Sequence, residues 1–186
     1  MSSTQSTDRK PNIVKPKISK PKSTTTSIST KKFEGETKEL FGYIYDINTS
    51  QQSELFTNTT KKIANYAGRN CKESKDISLA IEELIEPTWT LPVKQNTGDK
   101  EVDSLLLVQE LQLHTKRKHT YYDNRATIFH VVMGQCTYSM KAKLEAESSY
   151  DKIAKDRNVI ELLKLMRDIA FNYESDRYPF WQSISV

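Results

Sequence analysis

The chain has 186 residues and a formal net charge of +4; 36% of its residues are hydrophobic and 28% charged, an apolar share below the usual ~45–50%. That balance allows one ordinary domain with an appendage, and no apolar run approaches the ~18–20 residues that a membrane-spanning helix needs. Two cysteines, Cys71 and Cys136, are too few for a disulfide scaffold and read as reduced thiols, and five glycines are too few for a glycine-rich phosphate fold.

The charge is unevenly spread. Residues 1–32 carry eight basic side chains (Arg9, Lys10, Lys15, Lys17, Lys20, Lys22, Lys31 and Lys32) against Asp8 alone, a net +7, whereas residues 33–186 carry 20 basic and 23 acidic residues, a net −3. The same 32 residues hold thirteen Ser/Thr, three of the six prolines and no aromatic ring. They have too little apolar surface to offset an ordering cost of about 1–2 kcal/mol per residue, so a disordered basic tail is expected. Lys15-Pro16-Lys17 recurs as Lys20-Pro21-Lys22; proline keeps such a strip extended and its lysines solvated. The strip suits RNA phosphates, a nuclear-import signal, or plain solubility.

An ordered body is expected from Phe33. Phe41, Tyr43, Tyr45 and Ile47 alternate with period two, which reads as a short strand or, with no partner strand in view, an extended segment packed on the body. From about Gln51 to Cys71, Phe56, Thr60, Ile63 and Ala67 mark a helix. A second, short helix carries Ile77, Ala80, Ile81, Leu84 and Ile85, with Asp76 as its expected cap and Pro87 as its stop. Residues 87–100 read as a loop from which Trp89 and Leu91 pack back on the core; Asn96-Thr97-Gly98 is its turn.

The longest helix is expected from about Glu101 to Val132, capped by Asp103 and spanning ~45 Å. A segment of that length projects, pairs with another chain, or breaks near Thr115–Thr120; one long helix, with room for a bend, is the preferred reading. Leu107, Leu111, Ile128 and Val132 are assigned to one face, with Leu105, Leu106 and Val108 broadening the apolar surface. Lys116, Arg117, Lys118 and His119 form a basic waist beside Tyr121 and Tyr122, a candidate nucleic-acid contact by charge and stacking. Gly134 marks a joint, and Cys136–Ala146 a further helix. A connection through Tyr150 and Ile153 leads to the last helix, capped by Asp156 or Asn158 and striped by Val159, Leu162, Leu163, Met166, Ile169, Ala170 and Tyr173. Tyr178, Phe180 and Trp181 follow; rings so closely spaced fold back or meet another subunit. The sum is an all-α chain, a bundle of about five helices with a long central one.

No catalytic constellation stands out. The three histidines and two cysteines show no metal-ligand spacing, and only His130 with Cys136 suggests even a remote dyad. Neither enzyme activity, nor a metal, nor a cofactor, nor a small-molecule substrate is expected.

The run Ile128-Phe129-His130-Val131-Val132-Met133-Gly134-Gln135-Cys136, followed by Ser139-Met140-Lys141-Ala142-Lys143-Leu144, resembles gag-like proteins of copia-type LTR retrotransposons from unicellular eukaryotes. Tyr150-Asp151, Asp156 and Leu162 to Ile169 extend the likeness, as do Phe33-Glu34-Gly35 and Gly42 to Asp46 near its start. Val132-Met133 stands where members often carry tryptophan, and Thr137 where they often carry serine. The resemblance implies a capsid-type helical protein that self-associates and packages RNA, in the cytoplasm and with the nucleus open as a second address. Related polyproteins continue into a zinc knuckle, protease and polymerase. Nothing of that kind precedes Val186, so a relic, a short reading frame or the capsid portion alone is expected. On this reading the tail lysines with Lys116, Arg117 and Lys118 would touch RNA. Leu107, Leu111, Tyr121, Tyr178, Phe180 and Trp181 would join copies, the apolar stripes of the later helices exceeding what one core can hide. The competing reading is a monomeric nucleic-acid-binding or adaptor module.

Overall fold

A computed structural model of the chain describes residues 32–47 and 49–177, with side chains as far as Phe171. Lys10, Lys15, Lys17, Lys20, Lys22 and Lys31, like Tyr178, Phe180 and Trp181, lie outside the described residues. Among those described, a 3-10 turn at Lys38–Leu40 precedes six helices: α1 Gln52–Asn70, α2 Lys75–Glu83, α3 Lys100–Gly134, α4 Tyr138–Glu145, α5 Tyr150–Asp156 and α6 Val159–Arg177. The protein is an all-helical bundle organised around a long central helix. The extra member is α5, a two-turn helix where the sequence suggests only a connection.

The first helix buries Phe56, Thr60, Ile63 and Ala67, the stripe its spacing demands, and adds Gln52, Thr59 and Ala64. Small residues on this face let α2 approach closely, so that Ser78 Oγ donates to the Ala64 carbonyl at 3.0 Å. At its start, Gln52 Nε2 donates to the Ala170 carbonyl at 2.8 Å and ties α1 to α6. Six residues of α6 (Val159, Ile160, Leu162, Leu163, Met166 and Ala170) are fully enclosed. Among the described side chains, Val159, Leu162, Leu163, Met166 and Ala170 of the expected stripe are thus enclosed inside one chain, and Ile169 is half-buried.

The ends of the helices depart from the simplest reading of the sequence. Pro87 does not stop α2. The helix closes earlier, where Leu84 takes a left-handed conformation (φ 54°) and the Ile85 amide donates to the Ala80 carbonyl at 3.2 Å. That geometry costs a non-glycine residue about 1–2 kcal/mol; the buried Leu84 side chain offsets it. Ile85 is then left 62% exposed. Asp103 does not cap α3 either: Asp99 does, accepting from the Glu101 and Val102 amides at 2.8 and 3.3 Å. For α6 the cap is Asn158, which accepts from the Ile160 and Glu161 amides at 3.0 and 3.2 Å. The fourth helix begins at Tyr138 rather than Cys136, with Tyr138 itself exposed.

The opening segment packs as an extended strap. Gly42 turns it (φ 84°) out of the 3-10 helix, which breaks the period-two face: Tyr45 is buried, whereas Phe41 and Tyr43 stay exposed. Tyr45 forms a single parallel bridge to Cys136. Its amide donates to the Gln135 carbonyl at 2.9 Å, and its carbonyl accepts from the Thr137 amide at 3.0 Å. Glu36 N–H donates to the Gly134 carbonyl at 3.1 Å. The strap around Gly35–Asp46 and the corner at Gly134–Thr137 thus meet in one joint.

Candidate self-association surface

The central helix α3 is continuous for 35 residues, about 52 Å at 1.5 Å per residue. There is no break at Thr115–Thr120. Its C-terminal part belongs to the core through Tyr121, Ile128, Phe129 and Val132. Of residues 100–120 only Asp103 is buried. This first part therefore runs outside the core, with one side braced and the other bare.

The brace comes from residues 85–99. Trp89 packs edge-on against Tyr121 and His114, with centroids 5.6 and 6.0 Å away, and the Arg117 guanidinium lies 5.9 Å from its ring. Gln95 Nε2 donates to Glu110 Oε1 at 2.6 Å. Thr97 donates its amide and its hydroxyl to Asp103 Oδ1 at 2.9 and 2.6 Å. These two hydrogen bonds, the hydroxyl's first, hold the Asp103 carboxyl below its ordinary value. Leu91, expected to pack on the core, is 71% exposed instead; Trp89 alone fulfils that role.

The residues proposed as contacts for partners are separated by this geometry. Tyr121 is 2% exposed, with its hydroxyl donating to Glu86 Oε2 at 2.6 Å. Burial first, then the Glu86 hydrogen bond and charge, push its phenol far up. It is corrected from a contact between copies to a core residue. Glu86 also accepts from Arg125 Nη1 at 3.0 Å, closing a buried-edge triad. Arg117 is not a free cation, because its Nε donates to Asp76 Oδ2 at 2.6 Å and its Nη2 to Asp76 Oδ1. This fork is how Asp76 serves the fold, rather than as a cap of α2. Lys116 stays largely exposed, with Glu73 at 3.9 Å, and Lys118 and Lys32 are exposed. Leu107 lies half-buried on the braced side, whereas Leu111 faces outward.

The bare side carries Leu105, 68% exposed, Val108, 52%, and Leu111, 36%, while Leu113 and Val102 are exposed elsewhere on α3. Leu105 and Val108 are the residues that face-by-face reading of the sequence undervalued. The signal is spacing: Leu105 and Val108 fall outside the three- and four-residue series that links Asp103, Leu107, Glu110, His114, Arg117 and Tyr121.

Among the described residues, the His130–Cys136 dyad is not assembled. Cys136 is 1% exposed and its Sγ donates to the Val132 carbonyl at 3.3 Å; burial pushes its thiol up to about 12. His130 is exposed and forms no pair with it. Among the described residues no group of His, Cys, Asp or Glu could hold a metal ion, and no helix is long and apolar enough to cross a membrane. No family model, no curated protein and no solved structure matches the chain.

Proposed function

We propose that the protein is a non-enzymatic structural module of the gag-like kind, which self-associates through α3 and binds RNA with its basic N-terminal segment. The observation that carries this reading is the apolar outer side of α3, with Leu105, Val108 and Leu111 left wet by a chain that encloses every large apolar residue of the α6 stripe up to Met166. Apolar surface on a well-formed helix outside the core is where a partner helix binds. A buried, hydrogen-bonded Cys136 with an elevated thiol supports the non-enzymatic side. The net +7 of residues 1–32 supports the RNA side, and the cytoplasm, with nuclear access, is where such a protein would meet its RNA. Static light scattering of the full chain over a wide concentration range, with and without RNA, tests the reading. Mass that rises with concentration is expected; a strict monomer under every condition overturns it.

A second reading, a monomeric nucleic-acid-binding module, draws on the same charge asymmetry. Removing residues 1–32 would then abolish RNA retention while the chain stays a monomer throughout.

A further inference from the structure

The outer side of α3 has a register of its own. Glu101, Ser104, Val108, Leu111, Thr115, Lys118 and Tyr122 follow one another at alternating intervals of three and four, and all seven are exposed. That spacing is the a/d seam of a two-helix coiled coil. Its chemistry is symmetric about a point between Gln109 and Glu110: apolar Val108 and Leu111 in the middle, small hydroxyl residues Ser104 and Thr115 next, and opposite charges Glu101 and Lys118 at the ends.

We infer that α3 pairs with α3 of a second copy in antiparallel orientation, with Val108 against the partner's Leu111, Ser104 against the partner's Thr115, and Glu101 against the partner's Lys118. This inference rests on the self-association proposed above and specifies its geometry. Each contact occurs twice, as a two-fold axis requires. Helix residues 100–119 of the two copies overlap over roughly 30 Å, and the core-forming residues from Tyr121 onward lie beyond the overlap at either end. A parallel, in-register pair would instead set Glu101 on the partner's Glu101 and Lys118 on the partner's Lys118. Like charges face to face disfavour it. The braced side of α3 is already engaged by Trp89, Thr97 and Asp76, whereas every residue of the seam is exposed.

Charge reversal tests the register in the full chain by sedimentation equilibrium. Glu101→Lys and Lys118→Glu, each alone, create two like-charge contacts and are expected to weaken association about tenfold. The double variant restores opposite charges and is expected to regain most of the loss. Ser104→Cys/Thr115→Cys in a Cys71→Ser background is expected to give a covalent dimer on mild oxidation, and neither single variant to do so, since residues 104 and 115 lie ~16 Å apart within one helix. Association that is indifferent to both charge reversals, or a double-cysteine chain that forms no covalent dimer, overturns the antiparallel register and leaves self-association standing. A wild-type chain that never associates overturns both.

Discussion

The side-chain oxygen of Gln135 stands 1.6 Å from the point where a Cβ on Gly35 would lie. Gly35 also has φ +95°, in the left-handed half of conformational space. The opening strap can therefore cross the end of α3 only because position 35 has no side chain. Gln135 is fully buried there, beside the bridge that joins Tyr45 to Cys136.

Replacing Gly35 with alanine combines backbone strain with an overlap that the enclosed Gln135 has little room to relieve. A loss of about 2–4 kcal/mol is expected by urea denaturation. Gly42→Ala is the control: its φ is +84° but nothing lies within 4 Å of the added carbon, so only the backbone strain of about 1–2 kcal/mol should be lost. Equal losses at the two positions would mean that Gln135 swings aside freely.

The Asp103–Thr97 clamp gives the outer part of α3 an acid sensitivity. The folded carboxyl sits below its unfolded value of 3.8 because Thr97 donates to it twice. Its contribution is complete above the unfolded value and disappears as pH falls through the lowered folded value. Amide exchange at Thr97, corrected for intrinsic rates and followed between about pH 6 and pH 2, should therefore speed up at the acid end. Asp103→Asn, which has no charge to lose, should flatten that profile.

The thiols should differ sharply in reactivity. Cys136, pushed up to about 12 by burial, is expected to resist Ellman's reagent at mildly alkaline pH in the folded chain. Cys71 is half-buried and raised by the same cause to a lesser degree, so it should react slowly. Denaturation should release both. Rapid labelling of Cys136 in the folded chain would contradict its packing.

Much of this architecture is legible in the sequence where one face of a helix does one job. Phe56, Thr60, Ile63 and Ala67 of α1 and Val159, Leu162, Leu163 and Met166 of α6 are such cases, since burial follows directly from period. Helix ends are less legible. Asp99 and Asp103 are both good caps by residue type, and only the path of residues 85–99 decides that Asp99 caps while Asp103 holds Thr97. The candidate surface is less legible still. Period alone puts Leu107 and Leu111 on neighbouring positions of one face, yet Leu107 is half-buried and Leu111 exposed, and Tyr121 is hidden by the packing of Trp89. The net charge of the waist was visible in the sequence; that Arg117 is already bound to Asp76 depends on a contact 41 residues away in the chain.

That brace is what the proposed seam depends on. Most of a helix's stability in a protein comes from tertiary packing, and residues 100–120 have almost no core of their own. Trp89 links the brace to both parts of α3, touching His114 and Arg117 outside the core and Tyr121 at its edge. Trp89→Ala removes these ring contacts, a loss of about 2–3 kcal/mol concentrated on one segment. Hydrogen exchange in residues 100–119 is therefore expected to accelerate strongly, while residues 121–134, packed through Ile128 and Val132, keep their protection. Association should weaken in parallel, because a seam of exposed residues exists only while its helix is formed. Protection lost equally along all of α3 would mean that Trp89 supports the whole core; unchanged protection would mean that the outer helix stands without its brace.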